Sequence, residues 1–310
     1  MGCCAFGVSM IFEEFTYEAL DALLDRIAYL TTEQKGIIKE QFGQPGLAPE
    51  INCCIAKDNE YGLPLGCLLM SREEAISRII LDFWIADDEY LEAINLDKEK
   101  TLQGMLDDCL NKLQTKSETV IHCCIPQSSY TQVFEASGFC LNRTYWKMCR
   151  ERTPVPNLNL SEGISVIYGS TGTIEMLTKL QNDSFTGSWG FCPNTTDQIS
   201  YKLSGAHTSN ENVVFLMNGS DPVGYCWTYI YGEESSRTGA ISMIGVSPNY
   251  RGKGMSGQLL YQGLDNLLSQ GCDRVFLEVD SNNAPAIRIY ESAGFSQIEE
   301  LYWYELVTKG

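Results

Sequence analysis

The chain has 310 residues, 44% hydrophobic and 11% aromatic, with 40 acidic against 22 basic side chains and a formal net charge of -18. That composition fits a packed globular protein long enough for two domains. It argues against a nucleic-acid surface, which needs clustered Lys and Arg.

No apolar run reaches the roughly 18 residues that span a bilayer. No basic stretch followed by an apolar core marks a secretory leader, so a cytoplasmic chain without a membrane partner is expected. Met1-Gly2-Cys3-Cys4 is the kind of start that can be acylated, but Phe6 stands where myristoylation wants Ser or Thr. The 13 cysteines include the adjacent pairs Cys3-Cys4, Cys53-Cys54 and Cys123-Cys124. On a strand such neighbours point to opposite faces and do not serve one metal. There is no Cys-x-x-Cys, and the histidines are His122 and His207 alone. No metal is therefore expected, and the thiols read as reduced and mostly buried. Catalysis by Ser-His-Asp or Cys-His is disfavoured for the same reason. Carboxylates, tyrosines and backbone groups remain.

Taken in chain order, the pattern predicts helices between residues 17 and 42, then strands at 51–57, 64–71 and 78–86. A helix at 98–113, a strand at 120–125, a helix and a last strand complete the first half. Residues 151–163, with Pro154 and Pro156 and no apolar period, read as a linker. The expected domains are therefore 1–150 and 164–310. The second half begins with a strand at 164–168 and helices at 173–185 and 197–203. A hairpin of 213–217 and 223–231 turns at Asn218-Gly-Ser-Asp221. A strand at 240–246, a glycine turn and a helix at 256–268 follow. That helix stacks Leu260, Leu264, Leu267 and Leu268 and stops near Gly271. A buried strand at 274–279, a short helix and a final strand pair end the chain.

The halves echo each other. Val133-Phe-Glu-Ala-Ser-Gly-Phe139 parallels Ile289-Tyr-Glu-Ser-Ala-Gly-Phe295, and Tyr145-Trp146 parallels Tyr302-Trp303. They differ where a ligand would bind. After its third strand the first half carries residues 87–97, which hold no glycine and several carboxylates. Such a loop repels a pyrophosphate. Where Tyr290 stands in the second half, the first has Phe134, which cannot donate a proton. The first half is expected to be a degenerate copy with a structural or cleft-shaping role.

The turn Val246-Ser-Pro-Asn-Tyr-Arg-Gly-Lys-Gly-Met-Ser256 joins a strand to a helix. Glycines there let the backbone approach an anion, and the first N–H groups of the helix point at it. Arg251 and Lys253 add charge. The turn lacks the Gly-Lys-Ser/Thr ending of a P-loop and contains no Gly-x-Gly-x-x-Gly.

With Leu277-Glu278-Val279, Asn283, Ala286 and Tyr290-Glu-Ser-Ala-Gly-Phe295, this turn resembles the GCN5-related N-acetyltransferase (GNAT) superfamily over roughly 60 residues. The resemblance implies an α/β fold of two tandem GNAT-like domains, each a twisted mixed sheet flanked by helices. It implies acetyl-CoA as co-substrate, an amine as acceptor and no metal. By the same resemblance, backbone from Arg251 through Gly252, Lys253, Gly254 and Met255 to Ser256 holds the pyrophosphate. Ile244 and Val246 pair with the pantetheine arm and Asn283 bonds it, while Tyr290 protonates the departing thiolate. Glu278 matches the base position of relatives resembling ribosomal-protein alanine acetyltransferases. Its other reading is a solvated carboxylate at a strand end.

The tandem arrangement and Asn182-Asp-Ser-Phe185 are similar to the mycothiol synthase family. That family carries a glutamate where Ala240 stands, which sets this chain apart at the base. Phe185, Trp189 and Phe191 form either a lid on the amine pocket or a packed loop. The leading expectation is acetyl transfer to a small primary amine. The alternatives are a protein or peptide α-amine acetyltransferase and a non-catalytic acyl-CoA-binding module. Monomer and homodimer both remain open.

Overall fold

The computed structural model describes residues 10–113, 117–127, 130–156, 160–233 and 236–308; the acylation motif at residues 1–4 lies outside them. The chain divides into two compact units, between Arg143 and Thr144 and between Glu300 and Leu301.

Unit 1 is built from β1 (Met10–Glu14), α1 (Tyr17–Leu24), α2 (Thr32–Phe42), α3 (Pro49–Asn52), β2 (Cys53–Asp58), β3 (Pro64–Glu73), β4 (Arg78–Ile85), α4 (Asp88–Glu92), α5 (Lys98–Lys112), β5 (Thr119–Pro126) and α6 (Thr131–Ala136). The far end of β12 (Ser296–Thr308) completes its sheet, in the order β1-β2-β3-β4-β5-β12. Only β4 and β5 run parallel among these neighbours. The strand expected from residue 51 begins at Cys53. Pro49 at the first helical position, after a left-handed Ala48, starts a helical turn instead. The pattern did not signal β1, and the acidic stretch after β4 contains α4.

Unit 2 holds β6 (Cys140–Glu151) from Thr144 onward, β7 (Ile164–Tyr168), α7 (Ile174–Phe185), α8 (Thr196–Leu203), β8 (Val213–Asn218), β9 (Asp221–Tyr231), β10 (Arg237–Val246), α9 (Met255–Ser269), β11 (Cys272–Asp280) and α10 (Ala284–Ser292). Its sheet runs β7-β8-β9-β10-β11-β6, with β10 and β11 parallel. Each face is covered. Leu259, Leu260, Leu264 and Leu267 of α9 pack with Val275, Leu277 and Val279. On the other face Leu177, Leu180, Ile199 and Leu203 of α7 and α8 pack with Phe215, Tyr225 and Trp227. Burying each such side chain is worth about 1.5–3 kcal/mol.

The units are not the contiguous halves cut at 151–163. Residues 145–151 pair with β11 and residues 301–308 with β5. Pairing between strands remote in sequence is set by register, which local pattern does not carry. The echo itself has a structural counterpart. Gly138 and Gly294 end α6 and α10 at φ +87° and +88°, and Phe139 and Phe295 donate back to the carbonyls of Phe134 and Tyr290 at 2.9 and 3.0 Å.

Among the described residues no helix is long and apolar enough to cross a membrane, and no His, Cys, Asp and Glu cluster could hold a metal.

Candidate active site

The site begins where two parallel strands part. β10 and β11 pair as far as Ile241 opposite Leu277. Beyond that, residues 243–246 stay paired with β9, while residues 278–280 stay paired with β6. The register of β10 against β9 shifts at Ser242, a bulge that bends β10 away from β11. The edges of the two strands thus open into a V, and the β10 backbone groups facing it are available to an extended ligand. Ile244 and Val246 lie on this splayed part, with side chains packed against the α9–α10 core. Gly245 is required there. A Cβ would come within 2.7 Å of the Tyr225 ring and 3.0 Å of Ser184.

β10 leads into the glycine turn. Pro248–Tyr250 forms a 3₁₀ turn. The Tyr250 hydroxyl donates to Asp221 at 2.6 Å and so anchors the turn to the β8–β9 hairpin. Gly252 and Gly254 then take φ +74° and +76°, and nothing stands within 4 Å of a Cβ built on either. Gly254 is the N-cap of α9 and supplies no side chain to it. The first N–H groups of α9, from Met255 and Ser256 on, are therefore left without a side-chain cap, with the helix dipole behind them. These features fit a pyrophosphate. The basic pair is turned onto protein: Arg251 donates to the Ser184 carbonyl at 2.6 Å, and Lys253 donates to the Asn249 carbonyl at 3.0 Å while lying over the Tyr250 ring. Backbone, more than these side chains, forms the cradle.

Asn283 caps α10, its carboxamide oxygen accepting from the Ala286 N–H at 3.3 Å. The amide nitrogen is the part left to meet a ligand. Tyr290, two turns further, is buried against Phe295 and shares its core with Ile244 and Val246. Burial, helped by the neighbouring Cys226 thiol, pushes its pKa well up and keeps the phenol protonated. Arg150 fixes this helix. Its buried guanidinium donates to the Ala293 carbonyl at 2.7 Å and the Thr153 carbonyl at 2.8 Å, tying the end of α10 to the segment after β6.

Glu278 lies on the opposite face of the sheet from Tyr290. There it lines a cleft of about 280 Å³ together with Lys147 and the rings of Tyr229, Tyr231 and Phe276. Ala240 to Ser242 form its β10 wall. Glu278 reaches solvent through the mouth of the cleft, yet the walls crowd its carboxyl. That crowding raises its pKa, Lys147 opposes the rise and Glu299 adds to it; the net is upward. Tyr229 stacks on Trp227 and Tyr231 on Tyr229, with ring centroids 5.9 and 6.2 Å apart, and His207 stacks on Tyr231. The indole of Trp227 donates to the Thr208 hydroxyl at 2.9 Å, which sets the base of the stack.

Phe185, Trp189 and Phe191 form no part of that cleft. Phe185 meets Phe191 at 5.5 Å and Trp189 meets Tyr145 at 6.3 Å. The carboxamide of Asn182 holds the segment at Asn194, accepting from its N–H and donating to its carbonyl, both at 3.0 Å. Sequence reasoning passed over Tyr229, Tyr231, Phe276 and Lys147. The first two were visible as the alternation Tyr225-x-Trp227-x-Tyr229-x-Tyr231, which puts four rings on one sheet face. Lys147 was not, because it reaches the cleft only through the pairing of β6 with β11.

Residues 174–295 match the model of the Acetyltransferase (GNAT) family. Whole-chain likeness extends to a GCN5-related N-acetyltransferase from Sphaerobacter thermophilus, with TM-score 0.67, 15% identity and coverage of 97% of this chain and 96% of the other. A tandem GNAT protein from the clavulanic acid biosynthesis pathway gives TM-score 0.69, 11% identity and coverage of 96% and 98%. Residues 174–295 thus carry the likeness to the GNAT family, and the whole chain shares its fold with tandem GNAT structures. Within that class it resembles mycothiol acetyltransferases. The one from Thermobispora bispora is 30% identical over 174 residues, 52% of this chain and 57% of the relative. Matches to the first such relatives span from 25% to 57% of their length.

Proposed function

We propose that unit 2 is an acetyl-CoA-dependent N-acetyltransferase that passes an acetyl group directly to the primary amine of a small molecule. The observation that carries this reading is the V between β10 and β11, which runs straight into an uncapped, glycine-hinged helix N-terminus. An extended thioester chain with a phosphorylated end has its complement there. The family match and the mycothiol acetyltransferase relatives support the same reaction class.

The residues divide the work. Backbone from Arg251 to Ser256 holds the pyrophosphate, the β10 edge at Ile244 and Val246 aligns the pantetheine, and the Asn283 amide bonds it. Glu278 takes the proton of the attacking amine. Its raised pKa brings it nearer to neutrality, where a general base works best. Tyr290 donates a proton to the departing thiolate from the other side of the sheet. A buried phenol is a weak acid, but a thiolate formed in the same apolar surroundings has its proton affinity raised by the same desolvation. The cleft is small and walled by side chains, which favours a small amine over a peptide.

The test is an assay of thiol release from acetyl-CoA with a panel of amines, with the N-acetyl product identified by mass. Acetylation of at least one primary amine in stoichiometry with thiol release is expected. Thiol release without an acetylated amine would contradict the proposal.

A further inference from the structure

The cleft beside Glu278 carries more information than its size. Two charged side chains line it, and they have opposite signs: Glu278 and Lys147. They are direct register partners across β11 and β6, so both project on one face within about 5 Å at their Cβ atoms. Aromatic rings make the walls, and Ala240 and Ser242 keep the β10 side low. At about 280 Å³ the cleft stands at the small end of ligand pockets, which run from about 300 to 1,000 Å³.

Resting on the acetyltransferase reading above, we infer that the acceptor is a compact zwitterion of the amino-acid class: an amine directed at Glu278, a carboxylate held by Lys147, and a side chain laid against Tyr229, Tyr231 and Phe276. A polyamine is a poor fit, since its second cation meets Lys147. A simple amine leaves Lys147 without use in the cleft. Glu299 does not forestall a ligand carboxylate. Its contact with Lys147 is 3.4 Å long between two side chains each 37% exposed, a kind of pair that contributes little and yields readily. The reaction balances. The ammonium first gives one proton to solvent so that its lone pair is free; the nitrogen then bonds the acetyl carbonyl carbon, the thioester C–S bond breaks, Glu278 receives the second nitrogen proton and the thiolate receives one from Tyr290. Glu278 then releases its proton to solvent and Tyr290 regains one from it, so one proton is released per turnover. The product has lost its cation and keeps its carboxylate, so its attraction to Glu278 is gone and it can leave.

The experiment uses the full chain, acetyl-CoA and acceptors in matched trios: common amino acids, their amides, and the amines left by removing the carboxylate. The amides are the less basic amines and so the more available nucleophiles at neutral pH, which biases the comparison against the proposal. An amino acid is expected to exceed its amide and its decarboxylated amine in kcat/KM by about 10-fold or more, mostly through KM. Lys147→Met should erase that preference and Lys147→Arg should keep it. Lys147 is on the surface, so neither change threatens the fold. Equal or better use of the amide and the simple amine would overturn the inference. Acetyl-CoA binding with acetylation of amines only outside the trios would overturn it too, while leaving the acetyltransferase reading intact. Absence of acetyl-CoA binding would remove both.

Discussion

Both units open the same pair of parallel strands, and only one makes a cradle of the opening. In unit 1, β4 and β5 pair to Leu81 opposite Cys123; in unit 2, β10 and β11 pair to Ile241 opposite Leu277. One residue further, unit 1 carries Asp82 and Cys124, and unit 2 carries Ser242 and Glu278. The larger difference comes at the following helix. Asp97 caps α5, accepting from the Lys100 N–H at 2.7 Å, and Lys100 beside it holds its carboxyl below the ordinary range. The N-terminus of α5 is thus already satisfied by an anion of the chain's own. Gly254 leaves the N-terminus of α9 open to an external one. The two units share this strand geometry, and on the proposed reading the residues at the following helix decide which of them binds.

The sharpest way to break the contrast is to remove the chemistry from unit 2. Glu278→Gln is expected to lower kcat/KM about 10²- to 10⁴-fold and to abolish the acidic limb of its pH profile. Tyr290→Phe installs the residue that unit 1 carries at this place and should cost at least about 10-fold in turnover at neutral pH. An unchanged rate would remove the assigned role from either residue. Next, Gly254→Asp gives α9 a carboxylate like that of α5, at a left-handed position. It should weaken acetyl-CoA binding by about 10-fold or more in calorimetry.

Two predictions concern stability. Arg150→Met strips the Ala293 and Thr153 carbonyls of a buried charged donor and should destabilise unit 2 by about 2–3 kcal/mol in denaturant titration. It should also lower turnover, because α10 carries Tyr290. The smallest effect belongs to Asp82. Burial raises its pKa from 3.8 to about 6. Between those values the folded unit binds more protons than the unfolded chain, so stability falls as pH rises through this window and the loss is complete above about pH 6. Asp82→Asn should therefore stabilise unit 1 on the order of 2 kcal/mol at neutral pH and not below pH 4. An equal effect at both pH values would show that the carboxyl is not the cause.

The glycine turn, the strand before it and the helix after it were legible in the sequence because each depends on neighbours within a few residues. The hairpin at Asn218 to Asp221 and the echo of Phe139 by Phe295 were legible for the same reason. Residues 145–151 and 301–308 were assigned to the halves in which they occur in sequence, and the backbone pairs them otherwise. That missed pairing hid Lys147 and with it half the charge pattern of the cleft. The segment from Phe185 to Phe191 was read for its aromatic composition, whereas the rings that line the cleft alternate along β9. Composition located aromatic residues; period and register located the cleft.

The central claim is that one unit binds acetyl-CoA and its copy does not. Calorimetric titration of the purified chain with acetyl-CoA tests it most directly. One site per chain, weakened by Gly254→Asp, is the predicted result. Two sites per chain, or one that Gly254→Asp leaves untouched, would contradict it.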